Sequence, residues 1–282
     1  MDSLVDINNL TFVITTYNSE NTIYNCLNSL PKNVNKIIIE NSHNNELKKD
    51  LENKYENLKC YIMPENIGYG KANNYGISKS ENEYIFILNP DTILQQNTLN
   101  DLFKVLSKEK FSIAAPLEIK DIKDEYNFNE NGLAEVDFVR GFAMIINKKM
   151  FKQFFDENIF LYLEEIDLCK NVKNNSGRIV IVDTPVKHLG GVSHGNRDDF
   201  EMEKSRNWHW MWSKFYYNKK HKGYIYGLIK TFPNFLTSIF KFIIYNISRE
   251  NKKKTIYKMR ILGLLSSYML KKSSYRPYDK IK

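Results

Sequence analysis

The stretch Tyr84-Ile-Phe-Ile-Leu-Asn-Pro-Asp91 decides the fold prediction. Its run of apolar and aromatic residues is typical of a buried strand, and the Asn-Pro pair marks where that strand ends. Asp91 therefore lies at the C-terminal edge of a strand, which is where open α/β sheets bind their ligands. A carboxylate oxygen at such an edge suits a divalent cation that carries a phosphorylated substrate.

The sequence before this strand alternates between strand patterns and helix patterns. Such alternation is typical of parallel strands connected by helices. We therefore predict an α/β fold with a parallel sheet flanked by helices. Strands are predicted at 10–15, 36–40 and 58–63, and helices at 19–30, 46–57 and 70–79.

The composition is that of a globular protein rather than a disordered one. The chain has 282 residues, of which 42% are hydrophobic and 13% aromatic, enough to bury a full core. Cys26, Cys60 and Cys169 are widely spaced, which argues against a zinc site or a disulfide framework and favours a cytoplasmic location. The first residues also lack the basic and apolar regions of a secretory signal.

The positive charge is concentrated in the last fifth of the chain. The formal net charge is +8, yet the residues from Lys222 onward contain fourteen Lys and Arg against two acidic residues. The 27 basic and 31 acidic residues before Lys222 leave that part at about −4. A nucleic-acid-binding domain would be basic, so we predict no nucleic-acid partner. We divide the chain into two predicted domains, residues 1–221 and 222–282.

The second predicted domain is a basic, amphipathic helical tail. Residues 224–247 are apolar and aromatic but are interrupted by Lys230, Pro233 and Lys241. A helix that spans a bilayer needs about 20 apolar residues with few charges. An aromatic and apolar face flanked by lysines instead favours a helix that lies in an anionic membrane surface. Packing on the first domain and true insertion remain the alternatives.

A second carboxylate cluster lies downstream, where residues 161–172 are predicted to be helical. Glu164, Glu165 and Asp167 repel one another, and burial would raise the pKa of at least one of them. On a helix, Glu164 and Asp167 share a face, whereas Glu165 points about 100° away. The three acids are therefore candidates for a catalytic base, although not all three can serve. A solvated or capping acidic first turn is the structural alternative.

Seven segments, in this order, resemble the family-2 glycosyltransferases of the GT-A fold. The resemblance is strongest to the rhamnosyltransferase-like branch of bacterial surface polysaccharide synthesis and covers residues 10 to about 195. The matching segments are Val13-Ile-Thr-Thr-Tyr-Asn18, Ile38-Ile-Glu-Asn-Ser42, Glu65-Asn-Ile-Gly-Tyr-Gly-Lys-Ala-Asn-Asn-Tyr-Gly76, Leu88-Asn-Pro-Asp91, Val139-Arg-Gly-Phe142, Phe155-Asp-Glu157 with Tyr162-Leu-Glu-Glu-Ile-Asp-Leu-Cys169, and Pro185-Val-Lys-His188.

The resemblance implies that the predicted first domain, residues 1–221, is a catalytic domain with a Rossmann-like GT-A fold, in which a mixed, mainly parallel sheet is flanked by helices. It implies a nucleoside-diphosphate sugar donor, of UDP or dTDP type, and a divalent metal cofactor, Mg²⁺ or Mn²⁺. The sugar would be transferred with inversion to a hydroxyl of a saccharide or lipid-linked saccharide acceptor. With the basic tail, it predicts a peripheral protein on the cytoplasmic face of the cell membrane.

The resemblance also assigns roles residue by residue. Asp91 would bind the metal with His188 as a further ligand, and Glu165 would be the catalytic base with Asp167 and then Glu164 as alternatives. Residues implied in nucleotide-sugar binding are Thr16, Tyr17, Glu40, Asn66, Gly68, Lys71, Asn73, Asn89, Arg140 and Gly141.

Three positions differ from the commonest family pattern. Asn89 replaces the first acid of the Asp-x-Asp motif, a variant that this branch often carries. Glu40 and Glu165 each stand where the family usually has Asp. These two longer side chains leave one alternative function open, a catalytically impaired subunit that binds nucleotide or acts as a scaffold.

Overall fold

A computed structural model of the protein describes residues 5–121, 125–190 and 199–277. The chain divides into two compact units, and each is considered by itself. The first comprises Met1–Phe155 with Glu165–Arg197, and the second comprises Asp156–Glu164 with Asp198–Lys282. The boundary expected at 221/222 lies inside the second unit. As a division between catalytic domain and tail, that boundary stays a prediction.

The first unit is built on one mixed sheet. Within the described ranges, nine strands form the sheet in the order β3-β2-β1-β4-β8-β6-β9-β5, with β7 paired to β9. The strands are β1 Leu10–Thr16, β2 Asn35–Glu40, β3 Leu58–Ile62, β4 Tyr84–Leu88, β5 Thr92–Leu94, β6 Ile113–Glu118, β7 Leu133–Glu135, β8 Ala143–Asn147 and β9 Ile179–His188.

The strands near the start of the chain are parallel, and the later strands make the sheet mixed. β1 pairs in parallel with β2 and with β4, and β2 pairs in parallel with β3. β8 then runs antiparallel between β4 and β6. The predicted α/β fold with a mixed sheet is confirmed. Because β1, β2 and β4 are parallel, their carboxyl ends share one edge of the sheet.

Both faces of this sheet are buried, because successive side chains along a strand enter different hydrophobic clusters. Phe12 and Ile14 of β1 belong to one hydrophobic cluster, whereas Val13 between them belongs to the other. This period of two explains why a strand buried on both sides reads as a continuous apolar run. The helices of this part of the chain are α1 Ile23–Asn28, α2 Asn45–Lys54, α3 Tyr69–Lys79, α4 Thr98–Leu106 and α5 Glu164–Asn174.

Helix α3 packs very close to β1, and Gly76 permits this contact. A Cβ atom at Gly76 would lie 2.4 Å from Cγ1 of Val13, a distance that a real side chain does not reach. Because α3 directly follows β3, its first turn lies at the edge where the parallel strands end. The contact at Gly76 fixes α3 against β1 and so keeps its first turn at this edge, which is where open α/β sheets bind ligands.

Strand β9 is longer than the sequence pattern indicates. The apolar residues around 178–182 are followed by Pro185, a residue that usually ends a strand, but β9 continues to His188. The ladder between β6 and β9 shifts register between Pro116 and Leu117. A proline fits a strand at such an irregularity, where a ladder hydrogen bond is already missing. As a result, His188 is the last residue of β9 and lies opposite Thr92 of β5.

The second unit contains three long helices, α6 Phe200–Lys222, α7 Tyr224–Ile247 and α8 Asn251–Tyr268. The helices approach closely where glycines replace side chains: a Cβ atom at Gly263 of α8 would lie 2.3 Å from the carbonyl oxygen of Trp208 in α6. The predicted C-terminal helical extension is confirmed. Among the residues that the structure describes, no helix is both long enough and apolar enough to span a bilayer.

Candidate functional site

Thr16 and Glu40 lie side by side at the ends of β1 and β2. They are register partners in the parallel ladder, and both are completely buried. The Thr16 hydroxyl donates to Oε2 of Glu40 at 2.5 Å. Oε1 of Glu40 accepts from the backbone N–H of Ser42 at 2.7 Å and from its hydroxyl. Glu40 therefore organises the turn after β2, and its predicted contact with the base or ribose stays a prediction.

The loop after β3 is held to this turn by two asparagines. Asn41 donates from Nδ2 to Oδ1 of Asn66 at 2.9 Å and accepts from the backbone N–H of Ile67 at 3.0 Å. Gly68 adopts φ of 86°, a left-handed conformation that glycine tolerates best. Sequence reasoning gave Asn41 no role, although it lies inside a matched segment. Its amide connects the end of β2 to the start of α3.

The predicted nucleotide-contacting residues of α3 differ in accessibility. Asn73 is completely buried; its Oδ1 accepts from the Thr15 hydroxyl at 3.2 Å, and its Nδ2 donates to the Tyr69 carbonyl at 3.1 Å. Lys71 is exposed. Tyr17, at the end of β1, is half-buried. The amide of Asn73 thus joins α3 to β1, and its contact with ribose or phosphate stays a prediction.

Asp91 and His188 lie together at the centre of the candidate site. Asp91 is 1% exposed, and its Oδ1 lies 3.4 Å from Nε2 of His188. Asn89, just before Asp91, is half-buried and bonds through its backbone N–H to the Phe142 carbonyl at 2.8 Å. The structure therefore brings together the two residues that were expected to bind the metal.

Two residues that sequence reasoning did not assign surround the imidazole of His188. The Phe142 ring stacks on it, with centroids 4.3 Å apart and an angle of 5° between the planes. Oε1 of Glu118 lies 3.8 Å from Nδ1 of His188, and Glu118 is 5% exposed. Phe142 closes a matched segment and had a sequence signal, whereas Glu118 reaches the site only through the pairing of β6 with β9.

Arg140 and Gly141 occupy different surroundings. The Arg140 guanidinium pairs with Glu118 and Asp121, so its charge is neutralised within the protein. Gly141 accepts a hydrogen bond from the Tyr69 hydroxyl at 2.6 Å. A Cβ atom at Gly141 would lie 3.4 Å from Cβ of Glu165. Gly141 therefore leaves space beside the Glu165 side chain.

The three acids at the start of α5 have distinct environments. Glu164 and Asp167 are buried, at 5% and 0% exposure, as expected for two residues on one helix face. Asp167 accepts a hydrogen bond from Nδ2 of Asn171 at 3.4 Å. Burial raises the pKa of Glu165, and backbone N–H groups of Glu165 and Ile166 oppose this by donating to the carboxylate. A carboxylate with a raised pKa is a better proton acceptor, which suits a general base.

A cavity of about 410 Å³ lies next to the Asp91 and His188 pair. Phe142, which stacks on His188, and Arg140 both line it, and aromatic residues and acids make up much of the remaining wall. Neither Asp91 nor Glu40 lines this cavity. The cavity is therefore adjacent to the predicted metal site and not part of it.

The donor set at Asp91 and His188 fits a divalent metal bound by few protein ligands. Among the described residues, no group of three or more His, Cys, Asp and Glu side chains is placed to hold a metal ion. Mg²⁺ in phosphate-transferring sites commonly takes one or two carboxylates and completes its shell with water and phosphate oxygens. A buried carboxylate oxygen 3.4 Å from an imidazole nitrogen suits such a partial protein shell, and Mn²⁺ accepts both ligand types.

Comparison with known proteins shows the family. The family model described as Glycosyl transferase family 2 matches residues 11–167. The low-salt glycan biosynthesis hexosyltransferase Agl10 of Haloferax volcanii is 24% identical over an alignment of 206 residues that covers 63% of this chain and 66% of Agl10. The rhamnosyltransferase WbbL of Escherichia coli is 24% identical over an alignment of 211 residues that covers 62% of this chain and 78% of WbbL. The chain thus spans about two thirds of the length of Agl10.

Solved structures share the fold. The mannosyltransferase PcManGT from Pyrobaculum calidifontis, in complex with GDP-Man and Mn²⁺, has a TM-score of 0.56 at 10% identity, covering 92% of this chain and 86% of that one. S. aureus TarS in complex with UDP-GlcNAc has a TM-score of 0.51 at 13% identity, covering 93% and 92%. The family match and the shared architecture confirm the predicted resemblance: this chain belongs to glycosyl transferase family 2 and has the GT-A fold.

Proposed function

We propose that the protein is an inverting, metal-dependent glycosyltransferase. It moves a sugar from a nucleoside-diphosphate sugar to a hydroxyl of a saccharide or lipid-linked saccharide in cell-surface polysaccharide synthesis. It works as a peripheral protein at the cytoplasmic face of the membrane. The family match and the names of the relatives, a hexosyltransferase and a rhamnosyltransferase, support this proposal.

The observation that carries the proposal is the position of Asp91. Its carboxylate is buried at the edge where β1, β2 and β4 end, and the imidazole of His188 lies 3.4 Å away. This is the edge at which α/β sheets bind nucleotides. Asp91 and His188 would hold Mg²⁺ or Mn²⁺ there. When bound, the metal would neutralise charge on the departing diphosphate.

In this proposal, Glu165 is the residue that removes the proton from the acceptor. A sugar hydroxyl is a weak nucleophile, so its oxygen needs to lose a proton as it attacks the anomeric carbon. The new bond forms from the acceptor oxygen while the bond to the diphosphate oxygen breaks on the opposite face. The proton passes to the Glu165 carboxylate, and the configuration at the anomeric carbon is inverted. The acceptor would approach Glu165 past Gly141, which carries no side chain there.

The start of α3 completes the donor site in this proposal. Backbone N–H groups at a helix N-terminus favour phosphate, and exposed Lys71 adds a cation in the first turn. The turn organised by Glu40 would hold the base and ribose. TarS has been solved with UDP-GlcNAc and PcManGT with GDP-Man, so the fold accommodates more than one base. We propose a UDP or dTDP donor for this chain.

A thermal-shift screen tests the donor class. UDP-, dTDP- and GDP-sugars are added to the full chain with and without MnCl₂. One nucleotide is expected to raise the melting temperature most, and more so with Mn²⁺; a ligand at about 100 times its Kd adds about 2.7 kcal/mol to stability. Release of the matching nucleoside diphosphate in the presence of an acceptor extract then reports transfer. Stabilisation by GDP-sugars alone would reject the donor assignment.

The same two measurements separate the proposal from its alternative. A catalytically impaired, nucleotide-binding or scaffold subunit would be stabilised by the nucleotide and would neither transfer nor hydrolyse the sugar. A protein that shows no stabilisation by any of the three donor classes would contradict both functions.

A further inference from the structure

The outward face of α7 carries a continuous row of large apolar side chains. Three of them are among the most exposed large hydrophobic residues of the second unit, with Ile225 at 68%, Ile229 at 67% and Ile247 at 76% exposure. Contiguous exposed apolar surface of this kind marks an interaction site. We name this surface the α7 stripe and define it by Ile225, Ile229, Phe232, Leu236, Phe240, Ile243 and Ile247.

The α7 stripe repeats every eleven residues along the whole helix. Ile225, Leu236 and Ile247 form one such series, and Ile229 with Phe240 forms another. Eleven residues make almost a whole number of α-helical turns, so the repeat keeps the side chains on one face. The stripe is therefore straight, which suits contact with a flat surface.

The stripe is not the face through which α7 packs within its unit. The residues of α7 that are buried, Gly227, Thr231 and Ser238, lie on the opposite side of the helix. Gly227 permits close packing on α6, since a Cβ there would lie 3.0 Å from the Phe215 ring. Thr231 contacts the hydroxyl of Tyr268 at 3.0 Å. The second unit thus packs against the inner face of α7 and leaves the α7 stripe exposed to solvent.

The charges within α7 are all positive, and the residues that flank the helix carry a net positive charge. The helix contains no Asp or Glu, and its charged residues are Lys230 and Lys241. Exposed Lys222 precedes the helix, and exposed Arg249 and Lys252 follow it. Glu250 lies between them and pairs with Lys253 at 2.6 Å, so this end also has a net positive charge. An apolar face with basic flanks complements anionic phospholipid headgroups over an acyl-chain boundary.

A second copy of this helix is a poorer partner for the stripe. Two α7 helices that met through their stripes would bring the basic flanks of both copies together. The apolar spacing does not separate the two partners, because Ile229, Leu236 and Ile243 also follow the seven-residue repeat of a coiled coil. The charges are what favour the bilayer.

We propose that α7 lies flat in the headgroup region of an anionic bilayer, with the α7 stripe facing the acyl chains and Lys230 and Lys241 at the headgroups. This inference deepens the proposed membrane location by identifying the helix face that binds. It is independent of the transfer chemistry, because vesicle binding and donor binding are measured separately.

The test is cosedimentation of the full chain with phosphatidylcholine vesicles that contain or lack phosphatidylglycerol. Wild type is expected to sediment with the anionic vesicles. The affinity of the variant Ile229→Asn/Phe240→Asn for anionic vesicles is expected to be lower by about tenfold or more, because two apolar side chains are no longer transferred from water into the bilayer. Ile229→Leu/Phe240→Leu keeps the apolar face and should bind like wild type. Lys230→Gln/Lys241→Gln should bind anionic vesicles severalfold more weakly.

A matched control removes two similarly exposed apolar side chains outside α7. Ile119 and Met150 are 54% and 57% exposed, and Ile119→Asn/Met150→Asn should bind vesicles as wild type does.

Equal weakening of vesicle binding by this control would overturn the assignment to the α7 stripe. Failure of the wild-type protein to sediment with anionic vesicles would also overturn the proposal. A wild-type dimer in solution that becomes monomeric in Ile229→Asn/Phe240→Asn, without vesicle binding by either, would assign the stripe to a second copy. A far-UV circular dichroism spectrum and a melting temperature without ligand that match those of wild type show that the variants are folded.

Discussion

Nε2 of His188 lies 3.4 Å from Oδ1 of Asp91, although the two residues come from distant parts of the chain. The antiparallel pairing of β5 with β9 places Thr92 opposite His188 and so brings the imidazole to the carboxylate. On its other side, Nδ1 of His188 faces Glu118 at 3.8 Å. A carboxylate behind a metal-binding histidine is a recurrent arrangement that orients the imidazole.

Replacing Asp91 with Asn tests the metal site with little change in side-chain volume. Asp91→Asn removes the charge that would attract the cation, so metal-stimulated transfer should fall about 100-fold or more. The extra melting-temperature increase that Mn²⁺ causes in the presence of nucleoside diphosphate should also disappear. Asp101→Asn is the matched control, because Asp101 is an exposed acid in α4. If Asp91→Asn retained metal-stimulated turnover, Asp91 would not be a ligand.

Glu118 is expected to act as a positioning residue for His188. The Glu118 carboxylate favours the tautomer of His188 with its proton on Nδ1, which leaves Nε2 available to a metal. Glu118→Gln weakens this interaction, so we expect Mn²⁺ affinity to fall about 10-fold to 100-fold. Titration of Mn²⁺ with nucleoside diphosphate present, followed by calorimetry, measures this affinity. The control Asp121→Asn removes the other acid that pairs with Arg140 and should change Mn²⁺ affinity little. Equal effects of the two variants would make the role of Glu118 merely structural.

Glu165→Gln should separate donor binding from transfer. The amide cannot accept the acceptor proton, so kcat should fall about 100-fold to 10,000-fold, whereas the donor-induced rise in melting temperature should remain. The transfer rate of wild type should also decrease as pH falls through a value above that of an ordinary Glu, because burial raises the pKa of Glu165. A fully active Glu165→Gln variant would move the base to Asp167.

The raised pKa of Glu165 has an opposite consequence for stability. A carboxyl group with a higher pKa in the folded state than in the unfolded state favours folding at low pH, and this contribution is lost as pH rises through the raised pKa. Glu165→Gln does not ionise and should therefore melt no lower than wild type at pH 7. A large loss of stability in this variant, measured by thermal denaturation, would mean that the carboxylate is required for folding.

His209 makes the second unit sensitive to acid. Burial lowers its pKa to about 3; the neutral ring donates from Nε2 to the Tyr275 carbonyl at 2.8 Å and accepts from Ser273 at Nδ1. The folded state disfavours protonation of His209. The contribution of the neutral ring to the free energy of unfolding is therefore complete above about pH 6.5, the pKa of histidine in the unfolded chain, and is lost as pH falls towards 3. At pH 5 the loss from this group is about 2 kcal/mol. Urea unfolding at pH 8 and pH 5 measures it, and His209→Gln should lack this component of the pH dependence.

Local patterns in the sequence were sufficient for the core of the fold and for the position of Asp91. The apolar run at 84–88 and the Asn-Pro pair predicted the strand and its end, and both are present in the structure. This works because a strand buried on two faces is apolar throughout and because parallel strands end at one edge. The family resemblance likewise depends on short, ordered motifs, and the family match confirms it.

Long-range pairing decided what the local patterns do not contain. β9 continues through Pro185 because a register shift relative to β6 accommodates the proline, and this shift depends on both strands. Glu118 reaches His188 only because β6 lies beside β9. The apolar pattern of α7 predicted an amphipathic helix, yet only packing of Gly227 and Thr231 in the second unit decided which face remained exposed. In each case the deciding free energy comes from contacts between residues far apart in the chain, which the local sequence cannot specify alone.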